Sequence, residues 1–486
     1  MSELITWGTL SIFIMFQIYI ILGTAIAKYK FIYGHEASFI LLIGMIFSLL
    51  LELCGVRDLL MSFLKFNENI FFYVCLPPIV FSSGFNMHRG KFFQNIKMVI
   101  TFGIFSTFVC FTIFSALTIL AKNTMDMQAM VLVGGNGKWE SIQLLDQEIL
   151  LMCSLLCSSD VIAAVSLVSF DKEPDLYSII FGEGITNDAV SIILFNTVMK
   201  YTSKNSKVSL STPLNILMNF TSLGFWSLCM GIVFALWSAW LLRKYRSFSK
   251  NPTNEVMIIF CFGYIAYILS EVSENSGIIT LLTCGIVMSH YTWYNLSPQG
   301  KHASYITFEF LSFGMEGFVF IYLGVTLFSF GNLRWSFDLF IVELLIIVVG
   351  RFFGTVGFVQ LLQRCGLDSG LSFKQQIFVW FAGMIRGAIA FGLVLRIDDD
   401  FKNRDVIVTT SLALVIFTTV VFGSLLGVLQ RCLQEKPKVA PDSEQVALEA
   451  EVVSHAQRQE SSDFMKDQLA KDAKFLQQIN EKSKQE

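Results

Sequence analysis

The chain has 486 residues, of which 54% are hydrophobic and only 15% charged, and its mean hydropathy is +0.61. So little charge cannot cover the surface of a soluble protein of this length, and 48 phenylalanines suit lipid rather than water as the surrounding solvent. The net charge of −3 provides no basic surface for a nucleic acid, so none is expected as a partner.

The first apolar run begins at Ile5, without a basic segment before it or a small-residue cleavage pattern, and reads as a membrane helix rather than a removed signal peptide. Crossing the hydrocarbon takes about 20 apolar residues, and on that ruler the chain holds about thirteen candidate helices. They run near 5–29, 36–54, 67–85, 97–121, 148–170, 175–200, 217–243, 255–272, 274–290, 304–331, 336–362, 374–396 and 404–431. The eighth and ninth read as a pair of short helices joined at Asn275-Ser276-Gly277. The expected class is an all-α polytopic membrane protein, with a membrane domain over 1–431 and a short tail over 432–486.

An odd number of crossings puts the termini on opposite sides. Arg89, Lys91, Lys97 and the run Arg243, Lys244, Arg246, Lys250 then share a side with the tail. Lys200, Lys204, Lys207, Arg396, Lys402 and Arg404 fall on the other. The balance favours a cytoplasmic C-terminus and leaves the choice of plasma membrane or internal membrane open. The connection over 122–147, with Gly134-Gly135-Asn136-Gly137, is long and reads as a tolerated loop insertion rather than a contact surface. In the tail, Met465, Leu469, Ala473 and Leu476 share one stripe of a short amphipathic helix, which either stays solvated or docks a partner.

Cysteines such as Cys54, Cys110, Cys153, Cys157, Cys229 and Cys284 lie in apolar runs and read as small buried hydrophobes, and the five histidines lack metal-ligand spacing. No nucleophile–base pair, phosphate loop or metal cluster points to an enzyme, and no cofactor is expected. The informative residues are the ionisable ones at bilayer depth, where each costs at least about 2.5–3.5 kcal/mol at a helix centre. Asp160 sits mid-way along the fifth segment in Ser158-Ser159-Asp160-Val161. Glu183 and Asp188 lie in the sixth, Glu271 ends the eighth, Glu316 lies in the tenth, Arg351 in the eleventh and Arg386 in the twelfth.

On a helix, Glu183, Asn187 and Ser191 fall at i, i+4 and i+8, with Asp188 on the adjoining flank, so the sixth segment has one polar wall. A carboxylate withdrawn from water favours its neutral form, and holds either a proton or a dehydrated cation. Two ligands competing for one such site is exchange in miniature. Glu183 reads better as the partner of an arginine that locks helices together, Asp188 as the exchanging group. Glu271 and Glu316 either line a pathway or belong to a network.

Helix interruptions are the second clue, because freed backbone groups coordinate ions in transporters. Ser158-Ser159-Asp160 is expected to unwind the fifth segment, Gly383 and Gly387 around Arg386 the twelfth, and Pro77-Pro78 to break the third. The fifth and twelfth are seven helices apart, as in two inverted six-helix repeats with unwound crossing helices.

From about residue 36 to 430 the sequence resembles the eukaryotic Na+/H+ exchangers of the cation/proton antiporter superfamily, with its organellar and plant-vacuolar branches nearest in pattern. The resemblance rests on Leu76-Pro77-Pro78-Ile79, Gly182-Glu183-Gly184, Asn187-Asp188-Ala189, Glu271 with Ser276-Gly277-Ile278, and Arg386-Gly387-Ala388-Ile389-Ala390-Phe391. It implies electroneutral exchange of Na+ or K+ for H+ by a homodimer whose six-helix core shifts like an elevator against a scaffold. Asn187 and Asp188 match the ion-binding pair, with Ser159, Asp160 and Ser191 beside it. Arg351 matches the arginine paired with Glu183, Arg386 a stabiliser of the crossing, and Leu76-Pro77-Pro78 the stretch linked to amiloride-type inhibitors. The family usually has Thr-Asp-Pro where this chain has Ser159-Asp160-Val161, and Gly-Leu-Arg-Gly where it has Met384-Ile385-Arg386-Gly387. These departures, with the amphipathic tail, leave open a transport-inactive scaffold subunit of a larger complex. A channel is a further alternative, distinguished by conductance without proton coupling.

Overall fold

The computed structural model describes residues 2–29, 36–53, 68–87, 89–125, 127–133, 136–160, 162–168, 170, 172–202, 212–326, 334–366, 370–398 and 401–433. The tail helix expected near 463–476, Val161, Lys204 and Lys207 lie outside the described residues.

Helices α1 (Ser2–Tyr29) and α2 (Glu36–Leu53) precede α3, which passes from Glu68–Ile70 through a π turn, Phe71–Cys75, into Leu76–Phe85. The expected break at Pro77-Pro78 does not occur. Leu76 N–H reaches back to Phe71 O across the wide turn, and the prolines open the α-helical part, all within one continuous helix. A π turn widens the helix ahead of the rings, so their missing N–H groups interrupt the ladder without ending it. After the short α4 (Arg89–Gln94) comes α5 (Ile96–Thr124), with its own π turn at Thr101–Phe105.

The long connection is largely not a loop. Strand β1 (Gln128–Val133) pairs antiparallel with β2 (Asn136–Ser141), Gln128 opposite Ser141 and Val133 opposite Asn136. Its outer edge is covered, which is what stabilises so short a hairpin: Met130 N donates to Trp335 O at 2.7 Å and Trp335 N to Met130 O at 3.1 Å.

The fifth segment is two pieces, α6 (Asp146–Leu156) and α7 (Ile162–Val165). Then follow α8 (Pro174–Thr202), α9 (Thr212–Lys244), α10 (Pro252–Val272), α11 (Gly277–Tyr291), α12 (Pro298–Thr326) and α13 (Phe337–Arg364). The twelfth segment is also divided, into α14 (Phe373–Ala382) and α15 (Ala388–Leu395), before α16 (Arg404–Leu433). Local chemistry sets the starts. Asn251 Oδ1 accepts from Thr253 N at 3.1 Å ahead of Pro252, and Ser372 and Gln375 cap one another's amides at 3.3 and 2.9 Å.

Among the described residues, seven helices are long and apolar enough to cross a membrane, with three shorter apolar stretches at Leu10–Ile26, Glu36–Leu50 and Gly277–Tyr291. The chain is an integral, multi-pass, helical membrane protein. Association in lipid depends on close packing, and α2 meets α12 where Gly44 faces Gly324. Helix α8 lies innermost: 78% of its apolar window is buried, against 39% for α5, α9 and α10.

Candidate ion-binding site

Helices α6 and α14 both end inside the protein, and the extended segments after them cross. Asp160 N donates to Ile385 O at 2.8 Å, and Arg386 Nη1 to Ser158 O at 2.6 Å. Arg386 N donates to Thr418 Oγ1 at 3.2 Å and Thr419 Oγ1 to Arg386 O at 2.6 Å, tying the crossing to α16. Backbone freed from a helix at membrane depth needs such partners. Two glycines let the chains approach. A Cβ on Gly387 would stand 2.7–2.9 Å from the Asp160 side chain, and one on Gly383 2.4 Å from Arg351 Nε. Met384, fully packed between them at 2% exposure, is accommodated without disturbing these bonds.

Helix α8 passes the crossing with its polar wall turned toward it. Asp188 Oδ1 accepts from Ser158 Oγ at 2.6 Å. Asn187 Nδ2 donates to Ser159 Oγ at 2.7 Å, while its Oδ1 accepts from Ser191 Oγ at 3.2 Å and lies 3.2 Å from Thr107 Oγ1 on α5. Glu183 is ion-paired with Arg351 of α13, both no more than 1% exposed, and Arg351 Nη2 also lies 3.4 Å from Ser159 Oγ. The two serines divide the labour: Ser158 serves the carboxylate, Ser159 the amide and the arginine.

Asp188 is half-buried because it faces a cavity of about 130 Å³, room for several waters. Ser158, Ser159 and Asp160 line it from the crossing, Leu76 from α3 and Glu316 from α12. A second cavity, of about 470 Å³, is lined by Glu68, Lys200, Glu271, Glu274, Arg396 and Asp398. The first follows α8 along Phe181–Ala189, the second along Ile193–Lys200. Between the two stretches of α8, Ile192 is fully buried. Asp188 lines the first cavity and not the second.

Residues 18–432 match the family described as sodium/hydrogen exchanger, transmembrane. The chain belongs to that family. It is 30% identical to sodium/hydrogen exchanger 3 of Arabidopsis thaliana over 394 residues, covering 77% of this chain and 74% of the relative. Sodium/hydrogen exchanger 8 of Homo sapiens is 31% identical over 420 residues, covering 84% and 68%. The solved sodium proton antiporter MjNhaP1 of Methanocaldococcus jannaschii has the same fold, with a TM-score of 0.62 at 14% identity over 89% of this chain and all of that one.

In this exchanger the crossing and α8 bring Asp188, Asn187, Ser191, Ser159, Asp160, Glu183, Arg351 and Arg386 together. Leu76 and Glu316 join them at the cavity. Pro77 and Pro78 are buried beside that cavity's lining, and Glu271 stands apart: its Oε1 accepts from Gly277 N at 2.9 Å beside the second cavity. The sequence reading passed over the hydroxyls of Ser158 and Thr107, although the Ser158-Ser159 pair next to Asp160 was a usable signal. It also passed over three buried carboxylates, Glu148, Glu255 and Glu343. Glu148 accepts from Asn403 N at 3.1 Å and Nδ2 at 2.8 Å, and Glu343 accepts from Thr118 Oγ1 at 2.7 Å.

Proposed function

We propose that this exchanger moves Na+ or K+ in one direction and H+ in the other, with Asp188 the carboxylate both occupy in turn. One observation carries the reading: of the two acidic residues in the middle of α8, Glu183 is committed to Arg351, while Asp188 faces the first cavity with a single serine bond. The names of the relatives favour Na+ as the cation. Ser158, Ser159, Asn187, Asp160 and the unwound carbonyls offer the oxygen donors that a partly dehydrated cation needs.

One-for-one exchange at Asp188 would be electroneutral. Asp188 carries one positive charge whichever ligand it holds, so the site has the same net charge in both crossings. Two cavities at opposite halves of α8 support alternating access. The helices of the crossing, α5 to α8 and α13 to α16, would be the core that shifts against a scaffold of α1 to α3 and α9 to α12. A homodimer and a cytoplasmic C-terminus, both implied by the family resemblance and the basic-residue balance, complete the proposal.

The test is proton flux in proteoliposomes under an imposed Na+ or K+ gradient, comparing the wild type with Asp188→Asn. Cation-driven lumenal pH change in the wild type and its loss in a folded variant is the expected result, and the effective ion names the substrate. A folded wild type that moves no protons with either cation overturns the reading.

A further inference from the structure

We propose that the α9–α10 connection and the turn after α11 form a binding site for the headgroup of an anionic phospholipid. At this end of the molecule Arg243, Lys244 and Arg246 are all exposed, and no ion pair engages them among the described residues. Three other surface cations are matched: Lys200 with Glu274 at 3.3 Å, Lys122 with Asp146 at 2.7 Å, Lys91 with Asp175 at 3.1 Å. The acid nearest in sequence, Glu255, is turned inward, accepting from Ser297 N at 3.1 Å and Ser297 Oγ at 2.7 Å, with no exposure.

Aromatic rings hold Lys244, Arg89 and Lys301, and a backbone carbonyl holds Arg246. Lys244 Nζ lies 4.6 Å from the Trp240 ring and 5.6 Å from Tyr245. Arg246 Nη1 donates to Asn295 O at 3.2 Å, which joins the α9–α10 connection to the turn carrying Trp293. Around that ring stand the Arg89 guanidinium at 5.6 Å and Lys301 Nζ at 6.0 Å. Arg246 and Arg89 each spend one Nη1 on a backbone carbonyl, Asn295 O and Ser289 O, which fixes where their charges sit, and a cation over a ring keeps its other N–H groups for a phosphate.

A lipid fits better than a free anion because the cations sit at the end of a membrane span above an apolar wall. Directly below Lys244 on α9, Trp240, Trp237 and Val233 are 51%, 51% and 59% exposed. A headgroup at Lys244 therefore lays its acyl chains along these side chains, at the depth where tryptophans and basic residues gather in membrane proteins.

The test is the thermal stability of the purified full chain in detergent, titrated with dioleoyl phosphatidylglycerol, dioleoyl phosphatidylcholine or inorganic phosphate. Each basic residue near the membrane surface contributes about fivefold to binding of an anionic lipid. Phosphatidylglycerol should stabilise the wild type saturably and the other two should not. Arg243→Gln/Lys244→Gln/Arg246→Gln should raise the half-maximal concentration more than tenfold, and Lys122→Gln/Lys200→Gln should leave it unchanged. Equal stabilisation by phosphatidylcholine, reproduction of the effect by phosphate alone, or an unshifted triple variant overturns the proposal. If the triple variant is not monodisperse, Lys244→Gln decides, with a shift of about fivefold expected and none overturning it.

Discussion

Removing Arg351 would leave Glu183 with no counter-charge in a place only 1% exposed. Breaking a buried pair by deleting one partner costs about 3–5 kcal/mol, whereas replacing both by neutral groups costs much less. Arg351→Gln is therefore expected to lower the melting temperature well below that of Glu183→Gln/Arg351→Gln. Thermal unfolding of the two purified variants checks this, and equal melting would show that the pair holds no helices together. The contrast between Glu183 and Asp188 also shows what a single residue reveals from sequence. Both were conspicuous as charges in an apolar run, and Asp188 stood out by its asparagine neighbour. Thr107 was not conspicuous, because hydroxyls in membrane helices usually bond their own backbone, as Thr112 does to Phe108 O at 2.9 Å.

At the scale of elements, the breaks in the fifth and twelfth segments were legible because short polar or glycine-rich stretches interrupt long apolar runs. Pro77-Pro78 misled, since proline signals a missing bond but not the π turn that absorbs it. The hairpin was hidden for a related reason: its pairing with Trp335 is made about 200 residues away in sequence. Small residues carry opposite expectations according to place. An added methyl at Gly383 would meet Arg351 Nε at 2.4 Å, so Gly383→Ala must push the guanidinium from Glu183. Gly224 in α9 has nothing within 4 Å of such a methyl, and a helical Gly→Ala change there should stabilise by about 0.5–1 kcal/mol. Melting curves should move in opposite directions, down for Gly383→Ala and up for Gly224→Ala, with cation-driven flux lost only in the first. A Gly383→Ala protein with unchanged melting would mean that Arg351 has room to spare.

For the whole molecule, the question is whether the helices around Asp188 travel as a body. The contact between α2 and α16 gives access to it. Ser38 Oγ donates to Thr419 O at 2.8 Å, and a Cβ on Gly423 would stand 3.0 Å from Ser38 Oγ. That spacing is close to the roughly 3 Å between one sulfur and the far Cβ across a disulfide. Ser38→Cys/Gly423→Cys should therefore oxidise readily and fasten a scaffold helix to a helix of the crossing. If exchange requires the core to shift, proton flux should stop on oxidation and return on reduction, while each single variant transports under both conditions. Mass spectrometry of the intact bridge distinguishes this pair from the exposed native thiols Cys261, Cys365 and Cys432. Undiminished flux through fully bridged protein would confine the movement to the crossing itself, with Asp188 gated locally between the two cavities rather than carried from one to the other.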